Sequence, residues 1–121
     1  MPKPEKPYGH ELIMDLHGCD VGTFTRESLK TFFGYLCTAI KMEPCDLHFW
    51  YCNRSPTDPQ KGLSAVQFII TSSIVVHTLE LSAAAYVNVF SCKPFDQRPA
   101  IRLIAAWFHA ARSTYRMINR I

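Results

Sequence analysis

Hydrophobic and polar positions alternate with a period of two from His10 to Gly18. Leu12, Met14 and Leu16 share one face, and Glu11, Ile13 and Asp15 share the other. That period marks a half-buried strand, ended by Gly18-Cys19-Asp20. Thr25 then caps a helix with Glu27 in its first turn. Leu29, Phe32, Phe33, Leu36 and Ile40 recur at helical spacing, and Pro44 is expected to stop the helix. An aromatic-rich strand follows around Asp46 to Cys52, then a polar, proline-punctuated loop from Asn53 to Gly62. Two β-rich runs, Ala65 to Ile70 and Ile74 to Thr78, precede a third from Ala85 to Ser91. Asp96 to Pro99 opens a final helix expected to bury Ile101, Ile104, Trp107, Phe108, Ala111 and Tyr115.

This order (strand, helix, strands, helix) predicts an α+β fold. It is a two-layer sandwich of a largely antiparallel sheet with two helices on one face. Ser64, His77 and Asn88 put polar groups among the strands, so the other sheet face is expected to be a dimer interface, an active site, or both. The length of 121 residues suits one domain, taken as 9–121 behind an extended, proline-rich arm at 1–8.

Composition narrows the functional classes. Net charge is only +3, and the C-terminal arginines (Arg98, Arg102, Arg112, Arg116, Arg120) read as a solvated helix face. No basic block is interleaved with aromatics, so no nucleic-acid partner is expected. No apolar run reaches the roughly 18 residues of a membrane span, and the N-terminus lacks the apolar stretch of a signal peptide. A cytoplasmic location is expected, with five reduced cysteines and no metal-type spacing among them. Cys19, Cys37, Cys45 and Cys52 read as small buried residues, Trp50, Trp107 and the phenylalanines as core, and His10, His17, His48 and His109 as structural or surface groups.

The candidate chemistry lies in Ser72, His77 and Cys92, a hydroxyl, an imidazole and a thiol. Around them stand Leu16-His17-Gly18-Cys19-Asp20, Gly62-Leu63-Ser64, His77-Thr78 and Val87-Asn88-Val89-Phe90-Ser91-Cys92. These motifs resemble the Leu-Tyr-Gly-Cys-Asp, Gly-Val-Ser, His-Thr and Val-Asp-Val-Phe-Thr-Cys of the short prokaryotic, pyruvoyl-dependent S-adenosylmethionine decarboxylases. The register agrees as well. Ser64 precedes Ser72 by eight residues, Ser72 precedes His77 by five, and His77 precedes Cys92 by fifteen.

The resemblance implies a self-processing decarboxylase of polyamine (spermidine) biosynthesis. Ser72 would attack the carbonyl of Thr71 and cut the chain between 71 and 72, leaving a pyruvoyl group formed from Ser72 as the cofactor. Ser64 would support ester formation, and His77 would be the base of the elimination. Cys92 would return a proton to the substrate, whose amine the ketone holds as a Schiff base. No metal is implied. The partners implied are a small-molecule substrate and a second copy in a homodimer.

Several flanks differ from the family pattern. Thr71 stands where Glu is usual, and Ser73 adds a second hydroxyl. Leu81 takes the place of a ribose-binding Glu, with Glu80 displaced by one as the candidate substrate-binding residue. The adenine-stacking aromatic before Gly-Val-Ser has no counterpart, a part that Trp50 or Glu80 would have to fill. Two alternatives stay open. One is a non-processing homologue acting as a structural or regulatory partner, and the other is a pyruvoyl decarboxylase for arginine or ornithine.

Overall fold

A computed structural model describes residues 6–121, so residues 1–5 of the expected arm lie outside the described residues. The elements run β1 (Gly9–His17), α1 (Arg26–Ala39), β2 (Pro44–Cys52), β3 (Gly62–Ile69), β4 (Ser72–Leu79), β5 (Ala84–Ser91), α2 (Gln97–Trp107) and β6 (Arg112–Arg120). The strands form one sheet in the order β2-β3-β4-β5-β1-β6, antiparallel at every pairing. This is the expected α+β arrangement with one strand more than the sequence suggested.

Alternation within the strands decides which side is core. Leu12, Met14 and Leu16 of β1, Ile74 and Val76 of β4, and Val87 and Val89 of β5 are all buried. They meet Leu29, Phe32, Phe33 and Leu36 of α1 and Ile104 of α2 in one apolar cluster. Burying each such side chain is worth about 1.5–3 kcal/mol. Phe32 joins the helices, its ring centroid 5.1 Å from that of Phe108 and 5.9 Å from that of Trp107. The Trp107 indole N–H donates to Ser28 Oγ at 3.1 Å, satisfying the polar end of a half-buried ring.

Helix ends explain two departures. The Thr25 hydroxyl caps α1 as expected, accepting from the Ser28 N–H. Pro44 does not stop it; α1 ends at Ala39 and Pro44 opens β2. The stop is a Schellman turn, with Lys41 in the left-handed region (φ 59°), the Lys41 N–H on Thr38 O and the Met42 N–H on Cys37 O. His109 (φ 51°) ends α2 in the same way, its N–H on Ala106 O and the Ala110 N–H on Ala105 O.

The final helix therefore does not reach Tyr115. Residues 112–120 form the edge strand β6, paired with β1 from Gly9↔Arg120 to His17↔Arg112. Ala111 and Tyr115 are exposed rather than buried, and Arg112, Arg116 and Arg120 lie on a strand. Cys45 is exposed, whereas Cys19, Cys37 and Cys52 are buried. Burial pushes the Cys37 thiol up to about 11, so it stays protonated. Among the described residues no helix is long and apolar enough to cross a membrane.

Two glycines differ sharply in what a methyl group would meet. At Gly62, where β3 begins, a Cβ would lie 1.9 Å from the Thr78 carbonyl oxygen. The strands approach closely there because the Thr78 hydroxyl accepts from the Leu63 N–H at 3.0 Å and donates to the Leu63 carbonyl at 2.7 Å. At Gly34, on the exposed side of α1, a Cβ would meet nothing within 4 Å. Gly62→Ala is therefore expected to destabilise the fold by roughly 1–3 kcal/mol, as overpacking does. Gly34→Ala is expected to stabilise it by about 0.5–1 kcal/mol, through helix propensity. Urea unfolding of the two variants checks both signs.

Candidate active site

Four adjacent strands place one residue each in a single row across the sheet: Trp50, Ser64, His77 and Tyr86 are consecutive cross-strand partners. Asp15 continues the row beyond Tyr86. Their side chains rise from the face opposite the helices. Ser64 Oγ lies 2.8 Å from His77 Nδ1. With that nitrogen unprotonated the hydroxyl donates to it, and on the imidazolium the direction reverses. This pair sits in a cleft of about 720 Å³ whose lining includes Trp50, Arg54, Leu79 and Tyr86. A second hollow of about 450 Å³ adjoins it, lined in part by Asp15, Val75 and Asn88, and shares His77 and Tyr86.

Trp50 is 65% exposed and so is not a core residue; it forms a wall of the cleft. The loop between β2 and β3 forms another part of the wall. There Arg54 Nε donates to Asp58 Oδ2 at 2.6 Å, and the Gln60 N–H donates to Asp58 Oδ1 at 2.8 Å. The Arg54 hydrogen bond first, and then the Gln60 amide, hold the Asp58 carboxyl below the usual range. Glu80 is engaged beside the cleft. It accepts from the Tyr51 hydroxyl at 3.0 Å, and Lys61 Nζ stands 3.7 Å away. That hydrogen bond pushes the Tyr51 phenol up. Leu81 is exposed.

The second set of predicted residues lies at the start of β4. Ile70 and Thr71 make the two-residue connection between β3 and β4, closed by the pair Ile69↔Ser72. Neither is the Gly, Asn or Asp that tight hairpins favour, so neighbours must hold the turn. The Ile70 N–H donates to Glu43 O at 3.0 Å, and the Cys92 N–H donates to Thr71 O at 3.0 Å. Cys92 thus touches the residue whose carbonyl precedes Ser72, and Ser72 pairs with Ser91 in the ladder. Ser72 and Cys92 are both half-buried. The residues here are compatible with a pyruvoyl group at position 72, because the Thr71–Ser72 bond lies at a turn with a backbone donor on its carbonyl.

The structure brings Ser64 to His77 and the Thr71–Ser72 hairpin to the Cys92 backbone, but it does not bring the two groups together. Five residues of β4 separate Ser72 from His77, about 16 Å at the rise of a strand. His77 belongs to the outward set with Ser73 and Val75, whereas Ser72 has the parity of buried Ile74 and Val76. Sequence reasoning missed Tyr86 and Ser91, and it read Trp50 as core while naming it as a possible stand-in for the missing stacking aromatic. Alternation along β2 and β5 put Trp50 with His48 and Tyr86 with Asn88, but only the register across strands aligns them with Ser64 and His77.

Comparison with known proteins adds the following. Residues 10–121 match the model of a family described as S-adenosylmethionine decarboxylase. Among solved structures, the adenosylmethionine decarboxylase from Aquifex aeolicus superposes with a TM-score of 0.80 at 20% identity. The superposition covers 96% of this chain and 92% of that one, and at this identity it speaks for the fold. No match is found among curated protein sequences.

The Asp58 geometry gives a signed pH dependence. Its folded pKa is lowered, so its contribution to stability is full above the unfolded value and is lost as pH falls through the lowered folded one. Unfolding by urea at stepped acidic pH is expected to show a shallower acid loss for Asp58→Asn than for the wild type. Identical slopes would remove the Arg54–Asp58 pair from the account of how the cleft wall is held.

Proposed function

This chain belongs to the S-adenosylmethionine decarboxylase family, and on that premise we propose that it cuts itself between Thr71 and Ser72 and decarboxylates S-adenosylmethionine in polyamine biosynthesis. The observation that carries the reading is the Cys92 N–H on the Thr71 carbonyl oxygen, the carbonyl of the peptide bond that joins Thr71 to Ser72. When present, a pyruvoyl group supplies a sink for the electron pair that remains on the substrate as carbon dioxide leaves. This chain's own residues do the rest. Ser72 is the nucleophile of the cut, and Cys92 stands where a thiol can hand a proton to the product carbon. Ser64 orients His77 through their hydrogen bond, and His77 accepts the proton that the elimination at Ser72 releases.

The separation of the two groups supports a homodimer. One chain cannot place its own His77 beside its own Ser72. A second copy packed on the open face can offer its Ser64 and His77 to the backbone of the first copy's Thr71–Ser72 hairpin, which carries the α-hydrogen that the elimination removes. That face carries Ile13, Val66, Phe68, Val75 and Phe90, an apolar surface suited to burial against its own copy. The row of Trp50 and Tyr86 then walls a cleft closed from above.

A second reading concerns the substrate. Glu80 is tied to Tyr51 and Lys61, and Leu81 is exposed, which favours a pyruvoyl decarboxylase acting on a simpler amino acid such as arginine or ornithine. Release of carbon dioxide from each of the three candidates discriminates these readings.

Intact mass of purified protein is expected to show fragments 1–71 and 72–121, the second blocked at its N-terminus and reactive to hydroxylamine. A single uncut chain without a reactive carbonyl would sink the enzyme reading. Ser72→Ala is expected to abolish the cut. Cys92→Ala is expected to lower turnover about 10²–10⁴-fold, with a smaller effect on cutting. Co-expression of Ser72→Ala and His77→Ala chains should yield cutting in about a quarter of all chains, because half of the dimers then hold one intact shared site. No cutting in the mixture, with wild type cut normally, would place each site within one chain.

A further inference from the structure

Thr71 is held at two points, and only one of them is backbone. Its carbonyl oxygen accepts from the Cys92 N–H. Its side-chain oxygen accepts a 2.8 Å hydrogen bond from Ser91 Oγ and donates to Met42 Sδ at 3.3 Å. Ser91 is completely buried, and its own oxygen accepts from the Lys93 N–H at 3.0 Å. A buried hydroxyl is retained against desolvation only where its partners are fixed, and here they are Thr71 in the turn before Ser72, the Lys93 N–H just past Cys92, and Met42 Sδ at 3.7 Å, which Thr71 also reaches. The turn itself, Ile70-Thr71, has no local preference for its conformation. Ser91 therefore supplies what the turn residues do not.

We propose that Ser91 is a positioning residue for self-cutting: its hydroxyl fixes Thr71 so that the Thr71 carbonyl oxygen stays on the Cys92 N–H, and that N–H is the oxyanion donor of the first step. The inference rests on the self-cutting reading above. In that step the Ser72 Oγ–carbonyl carbon bond forms and negative charge develops on the Thr71 oxygen. The Thr71–Ser72 C–N bond then breaks, and the hydroxyl proton ends on the freed nitrogen. An ester replaces the amide, with no change of oxidation state and no co-reactant. A ladder N–H already aimed at the oxygen needs no reorganisation as the charge forms, which is where such donors act most strongly. Ser91 acts one bond further out. Its loss leaves the donor in place and frees the acceptor to swing off it.

The experiment follows chain cutting in time after synthesis, for wild type, Ser91→Ala, Ser91→Thr and Thr71→Val. Ser91→Ala is expected to slow cutting at least about 10-fold, a fraction of the 10²–10³-fold cost of losing an oxyanion donor outright. Ser91→Thr keeps the hydroxyl and should restore the rate. Thr71→Val should slow cutting similarly, and the double variant Ser91→Ala/Thr71→Val should be no slower than either single one, because both remove the same bond. In the uncut Ser72→Ala background, hydrogen exchange of the Cys92 amide should speed up with Ser91→Ala and return to the slow rate with Ser91→Thr. Cutting at the wild-type rate in Ser91→Ala, or unchanged Cys92 exchange, would overturn the role of Ser91 alone. A wild type that is never cut would instead overturn the self-cutting reading and this role with it. If Ser91→Ala does not fold, Thr71→Val decides by the same two measurements.

Discussion

A strand turns successive side chains to opposite faces, and no residue of β4 escapes that rule, because β5 pairs with it along its whole length and β3 from Ser72 to His77. Ile74 and Val76 are drawn into the core beneath the helices, and this fixes His77 on the open face. Slipping the strand by one residue would bury the imidazole and expose the valine. The hydrophobic core therefore sets the position of the Ser64–His77 pair without touching it. The same ladder sets the Thr71–Ser72 peptide at the hairpin, where pairing with Ser91 brings the Cys92 N–H onto the carbonyl. The Ser64–His77 pair and the Thr71–Ser72 hairpin, toward opposite ends of β4, depend on one register, which hydrophobic burial selects.

Much of this was legible in the sequence, where periodicity spoke for single elements. The alternation from His10 to Gly18 gave β1 to within a residue, and the spacing of Leu29, Phe32, Phe33 and Leu36 gave the buried stripe of α1. Asp96 and Thr25 declared two helix starts, since a capping oxygen is a property of one side chain. Helix ends were less visible. Lys41 and His109 take left-handed conformations that composition assigns to Gly or Asn, so Pro44 looked like the stop and α2 appeared to run on. Ala111 and Tyr115 happen to continue the spacing of Ile104 and Phe108, while Tyr115 belongs to an edge strand that pairs on one side only and Ala111 lies just before it.

The site was legible in its residues and not in its grouping. Ser72, His77 and Cys92 were read as a set because their spacing is fixed in one dimension. In space the set divides, the Thr71–Ser72 hairpin with Cys92 and His77 with Ser64. Trp50 looked like core because a tryptophan in an aromatic run usually is; its exposure follows from strand parity and from β2 being an edge. Ser91 gave no signal by itself, because a serine within an apolar strand becomes informative only once its partner, Thr71, is seen across the ladder.

The edge strand β6 has a wider consequence. Most of its side chains are exposed, and Arg112, Arg116 and Arg120 recur at every fourth position along it. An antiparallel copy of such a strand would meet like charges, and at the other margin of the sheet β2 begins with a proline that offers no N–H. Runaway sheet extension, the route by which exposed strands grow into fibrils, is thus discouraged at both margins. The chain is guarded against edge-to-edge aggregation by the same sheet whose broad face leaves its cleft open.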